Sequence, residues 1–280
     1  MNILFWNAGI TKNKVANIES ITSCMCEMLI ENSVDLMILA EYPYDPLNLC
    51  QTMNSIAHIQ YKPIPNLSGC NRIRGIINNK YNIEIIREQS HYQIAKIKTS
   101  FYELIVAMFH GRSKRNSSAE TQAIGISDFY NDIVSEEQKF GCAHTIAIGD
   151  FNVSPFEKAC IGGSSMHAIP FPDAVEGKPS RRILGKEYRK FYNPTWKLFG
   201  NYKAPYTTYY FDNSGEDVNF YWYAIDQVLT RPSLIKAFDE KSLKIIYQTK
   251  NHSMMKNGIP DKVNYSDHLP LFCTLKEDLL

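Results

Sequence analysis

The sequence predicts an α/β (α+β) fold. Apolar runs of strand length recur from the first residues to the last, helix-length stretches lie between some of them, and polar residues repeatedly stand where an apolar run ends. At 280 residues, with 44% hydrophobic and 21% charged side chains, the chain has the makeup of a soluble globular protein with a real core. It carries neither a Gly/Ser linker nor a helical repeat of fixed period, so one domain over 1–280 is expected.

Ile3 to Trp6 is a first strand closed by the turn Asn7-Ala8-Gly9. Val15, Ile18, Ile21, Met25, Met28 and Leu29 recur at helical spacing, which predicts an amphipathic helix over roughly 13–32. Asp35 to Glu41 is a second buried strand with a polar residue at its carboxyl end, and Pro43 and Pro46 break the chain before a short helix. From Ile56 to Phe109 the pattern changes to short β runs, at Ile73–Ile77, Ile83–Arg87, Tyr92–Ile97 and Leu104–Phe109. A helix capped by Ser118 is expected to run to Lys139.

Thr145 to Ile148 then forms a short buried strand, Gly149 allows a sharp turn, and Asp150 and Asn152 project from the carboxyl edge. Ser154 and Pro155 suit the cap and first turn of a short helix. A basic, aromatic insertion at about 160–206 separates this region from strands at Thr207–Phe211, Trp222–Leu229, Leu243–Tyr247 and Leu269–Leu275.

Other classes are excluded by composition. No apolar run approaches the roughly 20 residues of a membrane span, so no membrane insertion is expected. The amino terminus lacks a basic leader. Seven cysteines without zinc-finger spacing read as free, mostly buried thiols of a reducing cytoplasm. A net charge of +1 argues against a globally basic nucleic-acid binder, so any such surface must be local.

Collecting the strand ends gives Asn7, Glu41, His110, Asp150, Asn152, Asp226, Asp267 and His268. Singly each has an ordinary explanation: a turn, a cap, a satisfied core histidine, a surface ion pair. Their joint order is different. Leu4-Phe5-Trp6-Asn7, Leu36 to Glu41, Val106 to His110, Ile148-Gly149-Asp150-Phe151-Asn152, Ile225 to Leu229 and Ser266-Asp267-His268-Leu269-Pro270 together resemble the endonuclease/exonuclease/phosphatase superfamily. That superfamily includes deoxyribonuclease I, AP endonucleases, neutral sphingomyelinases and inositol-polyphosphate phosphatases. Phe191 to Trp196 also looks like bacterial members.

The resemblance implies a four-layer αββα sandwich of two mostly antiparallel sheets flanked by helices, and a divalent ion, Mg²⁺ or Mn²⁺. Carboxylate and amide oxygens are hard ligands that agree with such an ion. By the family pattern, Glu41 ligates the metal with support from Asn7 and Asp267. Asp150 orients or deprotonates water, Asn152 holds a phosphoryl oxygen, and His268 binds or protonates the phosphate. His110 is a second phosphate contact or acid. By the family pattern the carboxylate that orients His268 is Asp226 and not its sequence neighbour Asp267, whose side chain would point to the opposite face of a strand.

AP endonucleases of the family carry Tyr in the region of His110 and an Asp shortly after the first Asn, whereas this chain has His110 and Asn7-Ala8-Gly9. A dedicated AP endonuclease is thereby disfavoured. Phe151 to Ser154 lacks the Arg-rich form expected for inositol phosphates. The expected activity is hydrolysis of DNA or RNA phosphodiester bonds, with a small-molecule or lipid-linked phosphate ester as the alternative. The nucleic-acid partner rests on Lys178 to Lys203, where Arg181, Arg182, Arg189 and Lys190 alternate with aromatic residues, and on Arg112, Lys114 and Arg115 beside His110.

Overall fold

A computed structural model describes residues 1–10, 17–57, 59–215 and 217–279. β1 (Asn2–Asn7), α1 (Ile18–Glu31) and β2 (Leu36–Ala40) open the chain, followed by α2 (Pro46–Ile56), β3 (Tyr61–Pro63) and β4 (Ile73–Asn78). A meander of β5 (Asn82–Gln89), β6 (Tyr92–Lys98) and β7 (Glu103–His110) leads into α3 (Ala119–Phe140) and β8 (Thr145–Asp150). Short elements come next: α4 (Lys158–Ile161), β9 (Ala168–Ile169), α5 (Pro172–Glu176), β10 (Ser180–Ile183), β11 (Lys186–Arg189) and β12 (Phe191–Tyr192). A 3₁₀ turn over Pro194–Gly200 precedes β13 (Tyr209–Tyr210), β14 (Trp222–Tyr223) and β15 (Asp226–Thr230). The chain ends with β16 (Lys244–Ile245), β17 (Met255–Lys256), β18 (Ile259–Pro260) and β19 (Leu271–Thr274).

Two large sheets result. One has the order β16-β19-β1-β2-β4-β3 and the other β5-β6-β7-β8-β15-β12-β9. Most neighbours are antiparallel; β1–β2 and β7–β8 are parallel because α1 and α3 return the chain to the starting edge between them. Two-residue periodicity divides the second sheet's side chains between two cores. Val106, Met108, Ile146, Ile148 and Val228 face the first sheet, in a core that also holds residues of α1 and α2. Ile105, Ala107, Phe109, Ala147 and Leu229 face α3, with Phe129 and Ile133. The layers are therefore αββα, as the resemblance implied. No helix among the described residues is long and apolar enough to cross a membrane, and all seven cysteines are free and buried.

The helices start where capping chemistry predicts. Asp45 accepts from Leu47 N at 2.9 Å with Pro46 in the first turn of α2. Ser118 accepts from Thr121 N at 3.3 Å, and Gly141 ends α3 in the left-handed region. α1 is described from Ile18; Val15 and the predicted helical residues 13–16 lie outside the described residues.

Three local expectations are corrected. Gly149 lies within β8 and not at a turn; it is required because a Cβ there would stand 1.9 Å from Phe109 O on β7. Pro155 lies in a turn, with α4 starting at Lys158; the Glu157 carboxylate accepts from Ser154 N at 2.7 Å, so Glu157 closes the turn that Ser154 was expected to cap. The strand expected over Trp222–Leu229 is two strands, β14 pairing with β13 and β15 with β8. Residues 160–206 are also more than an insertion, because β9 and β12 form one edge of the second sheet.

Candidate active site

The register of the second sheet assembles the site. His110 pairs with Asp150, and Asp150 with Asp226, so these residues lie side by side on β7, β8 and β15. His110 and Asp150 each lie two residues after an inter-sheet core residue, Met108 and Ile148, and Asp226 two before Val228, so all three point toward the first sheet. The apolar rows thus end in a polar row at one edge. β1 meets that row with Asn7, whose Nδ2 donates to Asp150 Oδ2 at 3.0 Å. Because β1–α1–β2 and β7–α3–β8 are both parallel units, the carboxyl ends of four strands open on the same side. That is where open α/β sheets place their chemistry.

Each functional side chain is held. Asp150 Oδ1 accepts from Asn152 N at 2.8 Å, and Asn7 Oδ1 accepts from Gly9 N at 3.1 Å. Asn152, with φ of 54°, gives one amide hydrogen to Gly111 O at 3.1 Å and keeps the other. His268 Nδ1 lies 2.9 Å from Asp226 Oδ2, and its Nε2 lies 3.9 Å from Asp150 Oδ2. Asp226, as the family pattern implied, is the partner that holds His268. Asp267 lines the cleft separately. His110 Nε2 is 3.5 Å from Glu41 Oε1 and 4.0 Å from Asp150 Oδ2. Glu41 follows β2 with φ of 48°, a strained conformation for a non-glycine residue that recurs at functional sites.

Burial and neighbouring charge drive the titratable groups apart. Burial first, and then the Asp226 charge, pushes the Asp150 carboxyl above the usual carboxylate range. Burial works against a charged His268, but Asp226, with Asp150 and Asp267, outweighs it and raises the imidazole above the ordinary histidine range. His110 Nε2 lies near the Glu41 and Asp150 carboxylates, but burial, then the positive charges of Arg72 and His268, lower it to about 3. At neutral pH this shift favours the uncharged ring.

A pH dependence follows from that shift. Between pH 6.5 and about 3 the unfolded chain binds a proton at His110 that the folded chain refuses, so stability falls as pH falls through that window. Urea unfolding midpoints measured at about pH 7 and about pH 4 should differ less for His110→Asn than for wild type.

The cleft above this row has a volume of ≈ 810 Å³ and is lined by Asn7, Glu41, Asp150, Asn152, Asp267 and His268, so the three expected metal ligands share one space. Asp150, Asp226 and His268 also bring one potential ligand atom each within 4.8 Å of one another. Asp226 Oδ1 and His110 Nδ1 are buried without a hydrogen-bond partner. Glu41, whose side chain is 45% exposed, keeps its carboxylate oxygens open to the cleft. Carboxylate and amide oxygens around a partly open space, with a buried carboxylate oxygen unpartnered beside it, fit a hard divalent cation.

The basic residues divide. Lys114 and Arg115 line the cleft, Lys114 beside Glu157 at 2.7 Å, whereas Arg112 is exposed outside it. None of the residues from Lys178 to Lys203 is among those lining the cleft. Arg189 pairs with Glu137 at 3.2 Å and Lys190 Nζ donates to Ala174 O at 2.9 Å, both at the end of the second sheet opposite Asp150. Arg181 and Arg182 are exposed on the β10–β11 hairpin, with Arg181 beside Gly163.

Several contributors were not among the site residues expected from the sequence. Ser266 Oγ donates to Asn7 O at 2.8 Å and accepts from His268 N at 3.1 Å, joining the first strand to the last. Gln122 on α3 donates to Arg112 O at 2.6 Å and Asn152 O at 3.2 Å, holding both loops. The Phe191–Trp196 stretch acts through Asn193, which donates to Gln227 Oε1 at 2.8 Å, while Gln227 Nε2 donates to Val153 O at 2.7 Å behind the Asp150 turn. Lys262 lines the cleft, as do Phe156, Tyr209, Phe220 and Tyr223.

No protein-family model and no curated protein sequence matches the chain. Solved structures do. D. rerio TDP2 complexed with single-strand DNA product superposes with a TM-score of 0.56 at 20% identity, covering 98% of each chain. An endonuclease/exonuclease/phosphatase family protein from Leptotrichia buccalis gives a TM-score of 0.56 at 13% identity, over 98% of this chain and 99% of that one. The endonuclease domain of TRAS1, a telomere-specific non-LTR retrotransposon, gives 0.53 at 9% identity, over 98% and 97%. With its two mixed sheets, flanking helices and these neighbours over nearly its whole length, the chain has the deoxyribonuclease I-like fold of the endonuclease/exonuclease/phosphatase proteins.

Proposed function

We propose that the protein is a metal-dependent phosphodiesterase that hydrolyses DNA or RNA. The observation that carries this reading is the array Asp226–His268–Asp150–Asn7 at the mouth of the cleft. Phosphate diesters resist hydrolysis because their anionic oxygens repel a nucleophile and the leaving alkoxide is poor. The array answers both difficulties. His268, held protonated by its carboxylates, presents Nε2 to a phosphoryl oxygen, where its charge and its proton are of use. Asp150, fixed by Asn7 and by Asn152 N, orients or deprotonates the attacking water. Asn152 and neutral His110 contact further phosphoryl oxygens, and Lys114 and Arg115 hold the neighbouring phosphates of a strand.

Glu41, with Asn7 and Asp267, holds the divalent cation. When bound, Mg²⁺ or Mn²⁺ supplies positive charge to the phosphoryl and leaving oxygens. The reading is tested by turnover of plasmid, single-stranded DNA, RNA, phosphoinositide and bis(p-nitrophenyl) phosphate with Mg²⁺ or Mn²⁺, with Asp150→Asn as control. Cleavage confined to phosphoinositide would replace the polynucleotide reading with the lipid-linked one. Glu41→Gln should lose activity through weakened metal binding and recover part of it in excess Mn²⁺, whereas Asp150→Asn should not recover. An equal lack of response in both variants would contradict these roles.

A further inference from the structure

The cleft has both cationic and aromatic lining. Lys114 and Arg115 come from the loop that follows His110, with Lys114 paired to Glu157. A chain of aromatic rings runs outward from the catalytic imidazole. The Tyr209 ring lies 4.5 Å from His268, Tyr223 lies 6.3 Å from Tyr209, Phe220 lies 6.1 Å from Tyr223, and Phe156 lies 5.6 Å from Phe220. Phe156 is in turn anchored by Trp196 at 6.2 Å. The inner rings are half-buried, but Phe220 is 53% exposed and Phe156 38% exposed, both lining the cleft. An exposed phenylalanine pair, braced from behind and open toward a cation-lined space, is a surface for a flat apolar group joined to an anion.

We infer that Phe220, with Phe156, forms a stacking subsite for an unpaired nucleobase next to the scissile phosphate, making single-stranded polynucleotide the preferred substrate. The inference rests on the phosphodiesterase reading above and adds the substrate class. An inositol polyphosphate carries anionic groups around its ring and has no use for an uncharged wall, whereas a nucleotide carries one phosphate beside one π face. Stacking on a protein ring requires the base to leave its neighbours, which costs a few kcal/mol in a duplex and far less in a single strand. The cleft volume of ≈ 810 Å³ falls in the range of pockets that hold a small ligand, which is room for a nucleotide. The aromatic residues of the 160–206 segment thus act indirectly: Trp196 supports Phe156 from outside the cleft lining.

The test compares three substrates at the preferred metal ion: single-stranded oligothymidine, an abasic oligonucleotide of the same length, and bis(p-nitrophenyl) phosphate. Wild type should cleave oligothymidine with a kcat/KM about tenfold above that for the abasic strand. Phe220→Ala should erase that preference, and Phe220→Trp, which keeps a π face, should retain it. Equal turnover of the two strands by wild type overturns the subsite and leaves the phosphodiesterase reading standing. Cleavage of bis(p-nitrophenyl) phosphate with neither strand cut overturns both the subsite and the polynucleotide reading. Phe220-dependent co-sedimentation with phosphatidylserine vesicles, without base discrimination, overturns the subsite in favour of a lipid surface.

Discussion

Turnover by an Asp226→Asn variant is expected to fall about 10³- to 10⁴-fold, with KM changed little. His268 is buried, and burial alone favours the neutral ring; the Asp226 carboxylate at 2.9 Å is the largest influence that opposes it. An amide keeps the shape of that contact and removes its charge. The imidazole then loses its proton at neutral pH, and Nε2 has neither charge nor proton for the phosphoryl oxygen. The sign is checkable, because the pH above which kcat declines should be lower in the variant than in wild type. A lower melting temperature with normal kcat in the folded fraction would show that Asp226 only holds two strands together. His268→Ala is the less informative change. It leaves Asp226 buried beside Asp150 with one carboxylate oxygen already unpartnered, and so combines loss of activity with loss of stability.

Glu137→Ala should cost about 3–5 kcal/mol, which lowers the melting temperature by about 10 °C in a chain of this size. Glu137 is buried near the end of α3. Its Oε1 accepts from Arg231 Nε at 2.7 Å, and its Oε2 from Arg231 Nη2 at 3.1 Å and Arg189 Nη1 at 3.2 Å. Arg231 is 2% exposed and lies 3.8 Å over the Phe191 ring, so the truncation strands a guanidinium with no route to water. Removing both partners, as Glu137→Met with Arg231→Met, should recover much of the loss, since a buried pair gains little over apolar side chains of similar volume. Chemical denaturation measures both variants. Activity per folded molecule should stay near wild type, because this pair lies at the opposite end of the second sheet from Asp150. A parallel loss of kcat would mean that the two ends are coupled.

What the sequence determined by itself is whatever depends on a few neighbouring residues. Short apolar runs marked the strands β6, β7 and β8, Pro46 and Ser118 marked helix starts, and polar residues beside apolar runs marked the row at the cleft. The choice of Asp226 over Asp267 as the partner of His268 came from the family resemblance, and the contact agrees with it. Tertiary structure alone decided where charge and aromatic surface ended up. Lys178 to Lys203 looked like one basic, aromatic stretch. Folding joined Arg189 to Glu137 and Lys190 to Ala174 far from the cleft, and set Trp196 behind Phe156. The cleft wall was assembled instead from Lys114, Arg115, Phe156, Tyr209, Phe220 and Lys262, drawn from segments far apart in the chain. Periodicity and capping act over one or two turns of backbone, so they can be read locally. The partner of a long charged side chain is set by which distant surfaces the sheets bring together, and no local pattern encodes that.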